Sequence, residues 1–332
     1  MDQIPGMDTI GPAVRLAGRA PSLHNSQPWR WVFDGSALHL FSVRSRMLPA
    51  TDHSSRQLLL SCGIALGHLR SALAAAGWRT RVVYFPNPTR HEELATVEFE
   101  PAPIVTDAER EQAAAITVRY TDRLPFGAPA GWHDFEPLLQ VMVDPFDAVV
   151  TVLPREARAE LARASRLTAG VRRYDSAYQA ELHWWAGHSL AATGIPPAAR
   201  ISAEERGRVD VGRALPTVAG EPRRTDIAED ESVVLVVSSG PSSRELLRCG
   251  EALSTILLEC TVAGYATCPL THVTELPQSR AVIRALTDRD EQPQVLIRVG
   301  TVPDSDRNPT RTPRLPLEQI LEVSGPTTPV TE

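Results

Sequence analysis

The sequence predicts an α+β fold built from two similar halves in one chain. Strand-like and helix-like segments alternate along the 332 residues, and 42% of the residues are hydrophobic, which is enough for a substantial core. Two long apolar helices, Gln57–Ala76 and Ser243–Ala263, resemble each other residue by residue. A long stretch, 187–230, has weak periodicity, and we predict that it is an irregular insertion that acts as a lid.

The first half, 1–105, has element boundaries that follow from local signals. Ala20-Pro21 ends the first helix, Asp34-Gly35 marks a hairpin, and Gly77 is a typical C-terminal glycine of a helix. In chain order we predict helix Thr9–Arg19, strands Trp29–Phe33 and Leu38–Phe41, helix Gln57–Ala76, and strands Arg81–Tyr84 and Thr96–Glu100.

The second half, 106–332, contains a similar succession of elements. Asp107 is a candidate helix cap, and Gly264 ends a long helix as Gly77 does. The tail from Asp304 is polar and proline-rich, so little secondary structure is expected there. In chain order we predict helix Asp107–Val118, strand Ala148–Leu153, helix Arg155–Glu181, the irregular stretch 187–230, strand Val233–Ser238, helix Ser243–Ala263 and strand Gln294–Val299.

The two long helices align without a gap at an offset of 187 residues. Cys62-Gly63 then matches Cys249-Gly250, and Ala76-Gly77 matches Ala263-Gly264. The alternative is that two unrelated apolar helices share common residues. The repeated Cys-Gly pair and the equal distance to the terminal glycine favour internal duplication. A duplicated unit would let the halves of one chain pack about a pseudo-twofold axis, as two subunits do.

All 34 basic residues are arginine, because the chain contains no lysine. Schiff-base chemistry and a P-loop nucleotide site therefore lack their essential side chain. Any bound phosphate must be held by arginine, backbone N–H groups or hydroxyls. The 40 acidic residues give a formal net charge of −6, which argues against a nucleic-acid partner.

The cysteines and the N-terminus indicate a reducing compartment. Cys62, Cys249, Cys260 and Cys268 include no CxxC pair, and a chain of this length needs no disulfides. The first ten residues, MDQIPGMDTI, contain no basic residue and no apolar segment of a signal peptide. The longest strongly apolar stretches, such as Val233–Val237, have the length of a strand. We predict a cytoplasmic protein with no membrane partner.

Four polar segments hold the candidate functional residues. Pro21–Trp29 places hydroxyls, amides and an imidazole between prolines, which suits a planar polar ligand; it could equally be a capped loop. Arg119–Arg123 offers two guanidinium groups to a phosphate, or is a solvated pair. The backbone of Gly264–His272 could face a ring edge. The tail segment 307–314 carries three arginines that could close over a phosphate, or it is a disordered basic tail.

Other motifs are absent from the sequence. It contains no GxSxG, HExxH, GxGxxG or EF-hand pattern. Cys268 and His272 are spaced too loosely to indicate a nucleophile and its base. We therefore predict no catalytic side chain and no metal ligand.

Together these segments resemble the FMN-dependent nitroreductase family, and most of all its duplicated mycobacterial branch, the Acg-type proteins. Pro21–Trp29 resembles the family's Pro-Ser-x-x-Asn-Ser-Gln-Pro-Trp loop, and Arg119–Arg123 resembles its Arg-x-Ser-x-Lys/Arg motif. Gly264–His272 is similar to its glycine-to-Pro-Ile-Glu-Gly segment, and Thr312–Pro316 to its C-terminal Lys-x-Arg-Leu-Pro. The matches run along the whole chain and leave out only 187–230. The resemblance implies a nitroreductase-like fold in which one chain imitates the family's homodimer.

In this family two FMN sites lie between two protomers, and the loop of one protomer serves the site of the other. Here that loop occurs only in the first half and the other motifs only in the second. The resemblance therefore implies one complete FMN site in a monomer that acts as a pseudo-dimer. The residues that it assigns to FMN are Pro21, Ser22, His24, Asn25, Ser26, Gln27 and Pro28 from across the pseudo-twofold axis, Arg119, Thr121 and Arg123, Pro269, Leu270 and Thr271 along the ring with the Thr271 N–H near N5, and Arg311, Thr312 and Arg314, whose arginines hold the phosphate.

The sequence departs from the family at several of these positions, among them Thr121, which stands for the serine of the arginine motif. The family's lysine near flavin N1 and O2 is replaced by Arg123, which would still stabilise negative charge on the reduced ring. A glutamate becomes Thr271, and the tail lysine becomes Thr312, for which Arg311 compensates. The resemblance implies NAD(P)H-dependent reduction of nitroaromatics or quinones. If 187–230 closes over the flavin, NAD(P)H is excluded, and storage of FMN with little turnover is the alternative.

Overall fold

The computed structural model describes residues 4–187, 192–306 and 311–324. The α-helices within them are α1 (Met7–Ala17), α2 (Arg56–Ala75), α3 (Asp107–Val118), α4 (Trp132–Val143), α5 (Arg158–Arg172), α6 (Ser176–Gly187), α7 (Ala203–Gly207), α8 (Ser243–Val262) and α9 (Pro277–Thr287). The strands are β1 (Trp29–Phe33), β2 (Leu38–Ser42), β3 (Trp78–Tyr84), β4 (Glu93–Pro101), β5 (Val149–Leu153), β6 (Val233–Ser239), β7 (Ala266–Leu270), β8 (Gln292–Gly300) and β9 (Leu321–Val323).

The strands form two sheets with the same internal order. The first sheet runs β3-β4-β2-β1-β9 and the second runs β7-β8-β6-β5. Strands β1 to β4 thus occupy the places that β5 to β8 occupy in the other sheet, and every one of these pairings is antiparallel. Strand β9 pairs with β1 in parallel, and no described strand pairs with β5 in the same way. The fold class is therefore α+β, as predicted.

Helices α2 and α8 pack against each other at the centre of the core. A Cβ atom built on Gly63 would lie 2.0 Å from the carbonyl oxygen of Leu247, and one built on Gly250 would lie 2.4 Å from that of Leu60. Only glycine permits this approach of the two backbones. Helix α2 is long and apolar enough to cross a membrane by composition, but it is mostly buried inside the protein, as core helices are.

Several predicted boundaries are confirmed, and local capping explains why. Strand β1 and helix α3 have the predicted ends. Helix α3 begins with a capping box in which Thr106, and not Asp107, is the capping residue and Glu109 completes the pair. Helices α2 and α8 begin 187 residues apart, as the alignment of the two segments predicts.

The prediction of a single helix over Arg155–Glu181 is wrong, because helix α5 ends at Arg172. Helix α6 starts anew at Ser176, where the carboxylate of Asp175 accepts a hydrogen bond from the Tyr178 N–H at 3.0 Å. The sequence reading also missed α4 and α9. Both carry proline in or next to the first turns and expose much of their surface, which weakens the helical pattern.

Two segments for which no strand is predicted contain one. The core of Gly264–His272 is strand β7, and Pro269 is tolerated because β7 lies at the edge of its sheet. The tail, expected to be irregular, forms β9 against β1. The segment 187–230 is largely irregular where it is described, with α7 as a short helix, whereas 188–191 and the tail residues 307–310 lie outside the described residues.

Candidate functional site

The loop that follows α1 is held in an unusual conformation. His24, Asn25 and Gln27 all have left-handed backbone angles, with φ of 50°, 60° and 51°. Such angles are unfavourable for residues other than glycine and persist only where the surroundings impose them. The hydroxyl oxygen of Ser22 accepts the Gln27 N–H at 2.9 Å, and its carbonyl accepts the Asn25 N–H at 3.0 Å. The loop therefore presents its side chains in fixed directions.

A cleft of about 770 Å³ beside this loop gathers arginines that have no carboxylate partner among the described residues. Arg119 caps the C-terminus of α3 and is only 5% exposed, and its Nε and Nη1 atoms are buried without a hydrogen-bond partner. Four arginines that line this cleft form what we call the arginine cluster: Arg19, Arg119, Arg311 and Arg314. Within 4–187, 192–306 and 311–324, no carboxylate forms a salt bridge with any of them.

Burial and mutual repulsion lower the pKa values inside the arginine cluster. The pKa of Arg119 is lowered to about 10, first by burial and then by the charge of Arg19. The pKa of Arg314 is lowered to about 9 by burial, by Arg119 and by Arg19. Several cations without a carboxylate are costly in a folded protein, and an anion in the cleft would relieve that cost.

The cleft continues into an apolar second part of about 790 Å³. The two parts share Pro21, Ser22, His24, Thr121, Arg123 and the insertion residue Ile195. The wall of the second part comes from both central helices and from the end of β7. It includes Leu60 and Ile64 of α2, Leu253 and Leu257 of α8, and Pro269, Leu270 and Thr271. The site is thus one groove with a cationic end and an apolar end.

The arginine motif after α3 is attached to strand β7. Thr121 forms a parallel bridge with Thr267, and the Asp122 N–H donates to the Thr267 carbonyl at 3.0 Å. Arg123 is therefore held between the two ends of the groove, where one of its Nη atoms donates to the Ala199 carbonyl at 3.0 Å. Asp122 points away to Arg224 and forms a buried salt bridge with it.

The insertion 187–230, where described, contributes residues to the wall of the groove. The Ala192 carbonyl accepts a hydrogen bond from Nε2 of Gln27 at 2.7 Å. Ile195 and Leu215 bury themselves against Tyr178 of α6 in a small apolar cluster. Gln27 also accepts the Leu315 N–H at 2.9 Å, so it ties the loop to both the insertion and the tail.

Three histidines are buried and neutral at pH 7. The pKa of His24 lies well below 6.5 because of burial and the nearby charges of Arg213 and Arg123. Burial also lowers the pKa of His68, with help from the arginine cluster, and that of His272, with help from Arg213. His68 of α2 is fully buried: its Nδ1 lies 2.7 Å from the hydroxyl oxygen of Ser254, and its Nε2 has no hydrogen-bond partner among the described residues.

Acid should destabilise the protein through these histidines. Their pKa is near 6.5 when unfolded and lower when folded, so the unfolded chain binds more protons below pH 6.5, and the free energy of unfolding falls as the pH falls. The slope should reach about 1.4 kcal/mol per pH unit for each histidine. Urea titrations of the wild type and His68→Gln between pH 7.5 and 5.5 measure this slope. Equal slopes in the two proteins would contradict the assignment to His68.

The structure brings most of the predicted binding residues to the groove. Ser26 and Pro28 are the exceptions, since they line a small separate cavity behind the loop, and Gln27 acts through hydrogen bonds to neighbouring segments. The predicted residues that line the groove are Pro21, Ser22, His24, Asn25, Arg119, Thr121, Arg123, Pro269, Leu270, Thr271, Arg311, Thr312 and Arg314.

The sequence reading missed several groove residues. Arg19 lies two residues before the loop Pro21–Trp29, so its position in the sequence was a usable signal. Arg213 and Ile195 come from the insertion, whose course no local pattern reveals. The apolar residues of α2 and α8 looked like ordinary core. The described residues contain no group of three or more His, Cys, Asp or Glu side chains that could hold a metal ion, and all four cysteines are buried and free.

Relatives in Mycobacterium tuberculosis match nearly the whole chain, although no protein-family model matches it. The uncharacterized protein Rv3127 is 49% identical over 316 residues, which cover 94% of this chain and 92% of the relative. A protein named "Putative NAD(P)H nitroreductase acg" is 47% identical over 317 residues, covering 95% and 96%.

A solved structure of similar fold is the FMN-dependent nitroreductase NfnB from Mycobacterium smegmatis in complex with NADPH. It is 16% identical, with a TM-score of 0.40 over 68% of this chain and 100% of that chain. The match to acg is 47% identical, whereas the match to NfnB is 16% identical. On the near full-length match to acg, the chain belongs to the nitroreductase family and, within it, to the branch of the mycobacterial acg proteins.

Proposed function

We propose that this protein binds FMN and acts as an NAD(P)H-dependent oxidoreductase of nitroaromatics or quinones. The observation that carries the proposal is the groove itself, with unpaired arginines at one end and an apolar slot at the other. FMN has the same polarity, with a phosphate at one end and a planar ring at the other. The name of the acg relative agrees with this function.

The residues of the cationic end fit a phosphate. The buried Nε and Nη1 atoms of Arg119 lack partners, and a phosphate oxygen would supply them. Arg311 and Arg314 would hold the phosphate from the tail, with Thr312 beside them, and Arg19 adds a fourth cation. Charge-assisted bonds of this kind are about twice as strong as neutral ones.

The apolar end would orient the ring. Pro269, Leu270 and Thr271 would lie along it, with the Thr271 N–H near N5, while Pro21, Ser22 and Asn25 approach from the loop. His24 is neutral and supports the loop together with Gln27, and Ser26 and Pro28 complete its backbone. Arg123 would stabilise negative charge at the ring edge. A bound FMN would supply the hydride-transfer chemistry by which NAD(P)H reduces an electron acceptor.

We also infer that the chain arose by internal duplication, with halves 1–105 and 106–332, and works as a monomeric pseudo-dimer. The shared strand order supports this, as do the reciprocal contacts of Gly63 with Leu247 and of Gly250 with Leu60. An isologous interface has this reciprocity. The free cysteines suit the reducing cytoplasm.

The duplication would leave one complete site. At the offset of 187, the groove residues Ile64, Leu257 and Thr271 correspond to Glu251, Arg70 and Tyr84. Glu251 is the common partner of the other two: the Tyr84 hydroxyl donates a hydrogen bond to its carboxylate at 2.7 Å, and Arg70 forms a salt bridge with it at 2.8 Å. An ion cluster stands where an apolar slot would be needed, which supports one flavin per chain.

Storage of FMN is the second candidate, and the insertion favours it. The insertion contributes to the walls of both parts of the groove and is hydrogen-bonded to the loop through Ala192. A lid that stays closed would keep NAD(P)H from the ring, because hydride transfer needs the donor carbon against N5.

Anaerobic titration of the purified protein separates the two candidates. An oxidoreductase is expected to be yellow and to bleach with NADPH. A storage protein is expected to stay yellow with NADPH and to bleach only with dithionite, a small reductant. A colourless protein that takes up no added FMN would overturn the flavin assignment altogether.

A further inference from the structure

The insertion is fastened to the apolar end of the groove by a buried arginine. Arg213 donates to the Tyr178 hydroxyl at 2.8 Å and to the Thr271 hydroxyl at 3.0 Å, and it pairs with the carboxylate of Glu275. The Glu275 side chain is 0% exposed and that of Arg213 is 10% exposed. Thr271 is a ring-end groove residue, so the fastening lies directly beside the proposed ring position.

We propose that the Arg213–Glu275 ion pair determines which electron donors reach the groove. The proposal rests on the proposed function and adds the residues that control donor selection. With the pair formed, the insertion narrows the apolar end and slows a dinucleotide more than a small reductant. With the pair broken, that end opens to NADPH.

The contacts of Arg213 hold only the part of the insertion beside the apolar end of the groove, because other contacts hold the rest of the insertion. At the cationic end, Arg224 forms a buried salt bridge with Asp122 and a second, partly exposed one with Asp306 at 2.6 Å. Farther from the groove, Arg158 joins Asp210 of the insertion at 2.6 Å. Loss of Arg213 would therefore free one end of the insertion and leave the rest attached.

Glu275 keeps other partners when Arg213 is removed. Nε2 of Gln57 donates to Glu275 at 3.3 Å, and Arg172 lies 3.9 Å from its second oxygen. The carboxylate is thus not left alone in the core, which is the usual reason that deleting one member of a buried pair unfolds a protein. An Arg213 variant should keep its fold and change access.

The test compares Arg213→Ala with Arg213→Lys and a matched control. The control is Arg70→Ala, which also deprives a buried carboxylate, Glu251, of its arginine but touches neither the groove nor the insertion. In each flavin-loaded protein, bleaching rates are measured anaerobically with NADPH and with dithionite. The ratio of the two rates is the readout, because a general loss of stability would not favour the larger donor.

Arg213→Ala should raise the NADPH-to-dithionite ratio about tenfold or more, as expected for loss of a buried charge pair that holds one state closed. Arg213→Lys should restore the ratio in part, since lysine keeps the charge but not the fork of donors. Arg70→Ala should leave the ratio at the wild-type value. An unchanged ratio in a flavin-loaded Arg213→Ala protein would overturn the proposal.

A flavin-free measurement separates this proposal from the proposed function. The insertion contains several arginines, including Arg200 and Arg206, at which trypsin can cut. Cleavage within 192–230 should be about tenfold faster in Arg213→Ala than in Arg70→Ala, because only the former frees the insertion. If Arg213→Ala does not fold, the double variant Arg213→Met/Glu275→Leu removes both charges and tests the same point. Equal cleavage rates would overturn the ion pair's role, whatever the protein binds.

Discussion

Arg119→Met is expected to lose most of its FMN affinity while making the flavin-free protein more stable. Methionine keeps the volume of the buried side chain and removes the charge that a phosphate would pair with. A charge-assisted hydrogen bond contributes about 1.5–3 kcal/mol, which is about a 10- to 150-fold change in Kd. Without flavin, the same charge is buried and unpaired, so removing it relieves a cost. Fluorescence titration with FMN and thermal unfolding of the flavin-free protein measure the two effects.

The opposite signs make this prediction specific. Arg15→Met is the control, because Arg15 is exposed on α1 near Arg19 and lies outside the groove. It should change neither quantity. A fall in both FMN affinity and flavin-free stability in Arg119→Met would assign Arg119 to the scaffold and refute its role in phosphate binding.

Gly250→Val is expected to lower the free energy of unfolding by about 3 kcal/mol. Its first side-chain carbon would meet the Leu60 carbonyl oxygen at 2.4 Å, so α2 and α8 must move apart. Overpacking a close contact typically costs about 1–3 kcal/mol, and the added methyl groups place valine at the upper end. Since both helices line the apolar end of the groove, FMN affinity should fall as well. Urea unfolding and FMN titration measure the changes.

Gly170→Ala supplies the contrast. Gly170 lies in α5, and a Cβ atom added there would have no neighbouring atom within 4 Å. Alanine at this position should stabilise the protein by about 0.5–1 kcal/mol, because glycine is the weaker helix former. If Gly250→Val were as harmless as Gly170→Ala, the close packing of α2 and α8 would be disproved.

The elements that sequence reasoning found are those with local boundaries. Helix α3 begins with a capping box, and β1 is followed by a hairpin turn. Helices α2 and α8 are each followed by a glycine at the matching position, Gly77 and Gly264. Strand β9 was missed because its partner, β1, is remote along the chain, so no local pattern reveals the pairing. The helix break before Ser176 was missed because the only local sign of it is one capping carboxylate, that of Asp175, within a sequence that otherwise has a helical pattern.

The residues of the site also divide into those that a local sequence motif reveals and those whose role depends on the fold. Pro21–Trp29 and Arg119–Arg123 were identified because each is a compact motif whose side chains suit a phosphorylated planar ligand. Asp122 shows where that reasoning stops: it lies inside the arginine motif but serves to anchor the insertion through Arg224. A motif names the residue types, whereas the direction of each side chain depends on its neighbours in space.

The order of the amino acids by itself determines which groups this chain can offer a ligand: arginine in place of lysine throughout, a proline-bounded polar loop, and two matched helices. Folding in three dimensions is what adds Arg19 to the arginine cluster and brings Arg213 of the insertion to Glu275. The physical reason is that local signals act over a few residues, while burial and charge pairing depend on which distant segments the fold brings together.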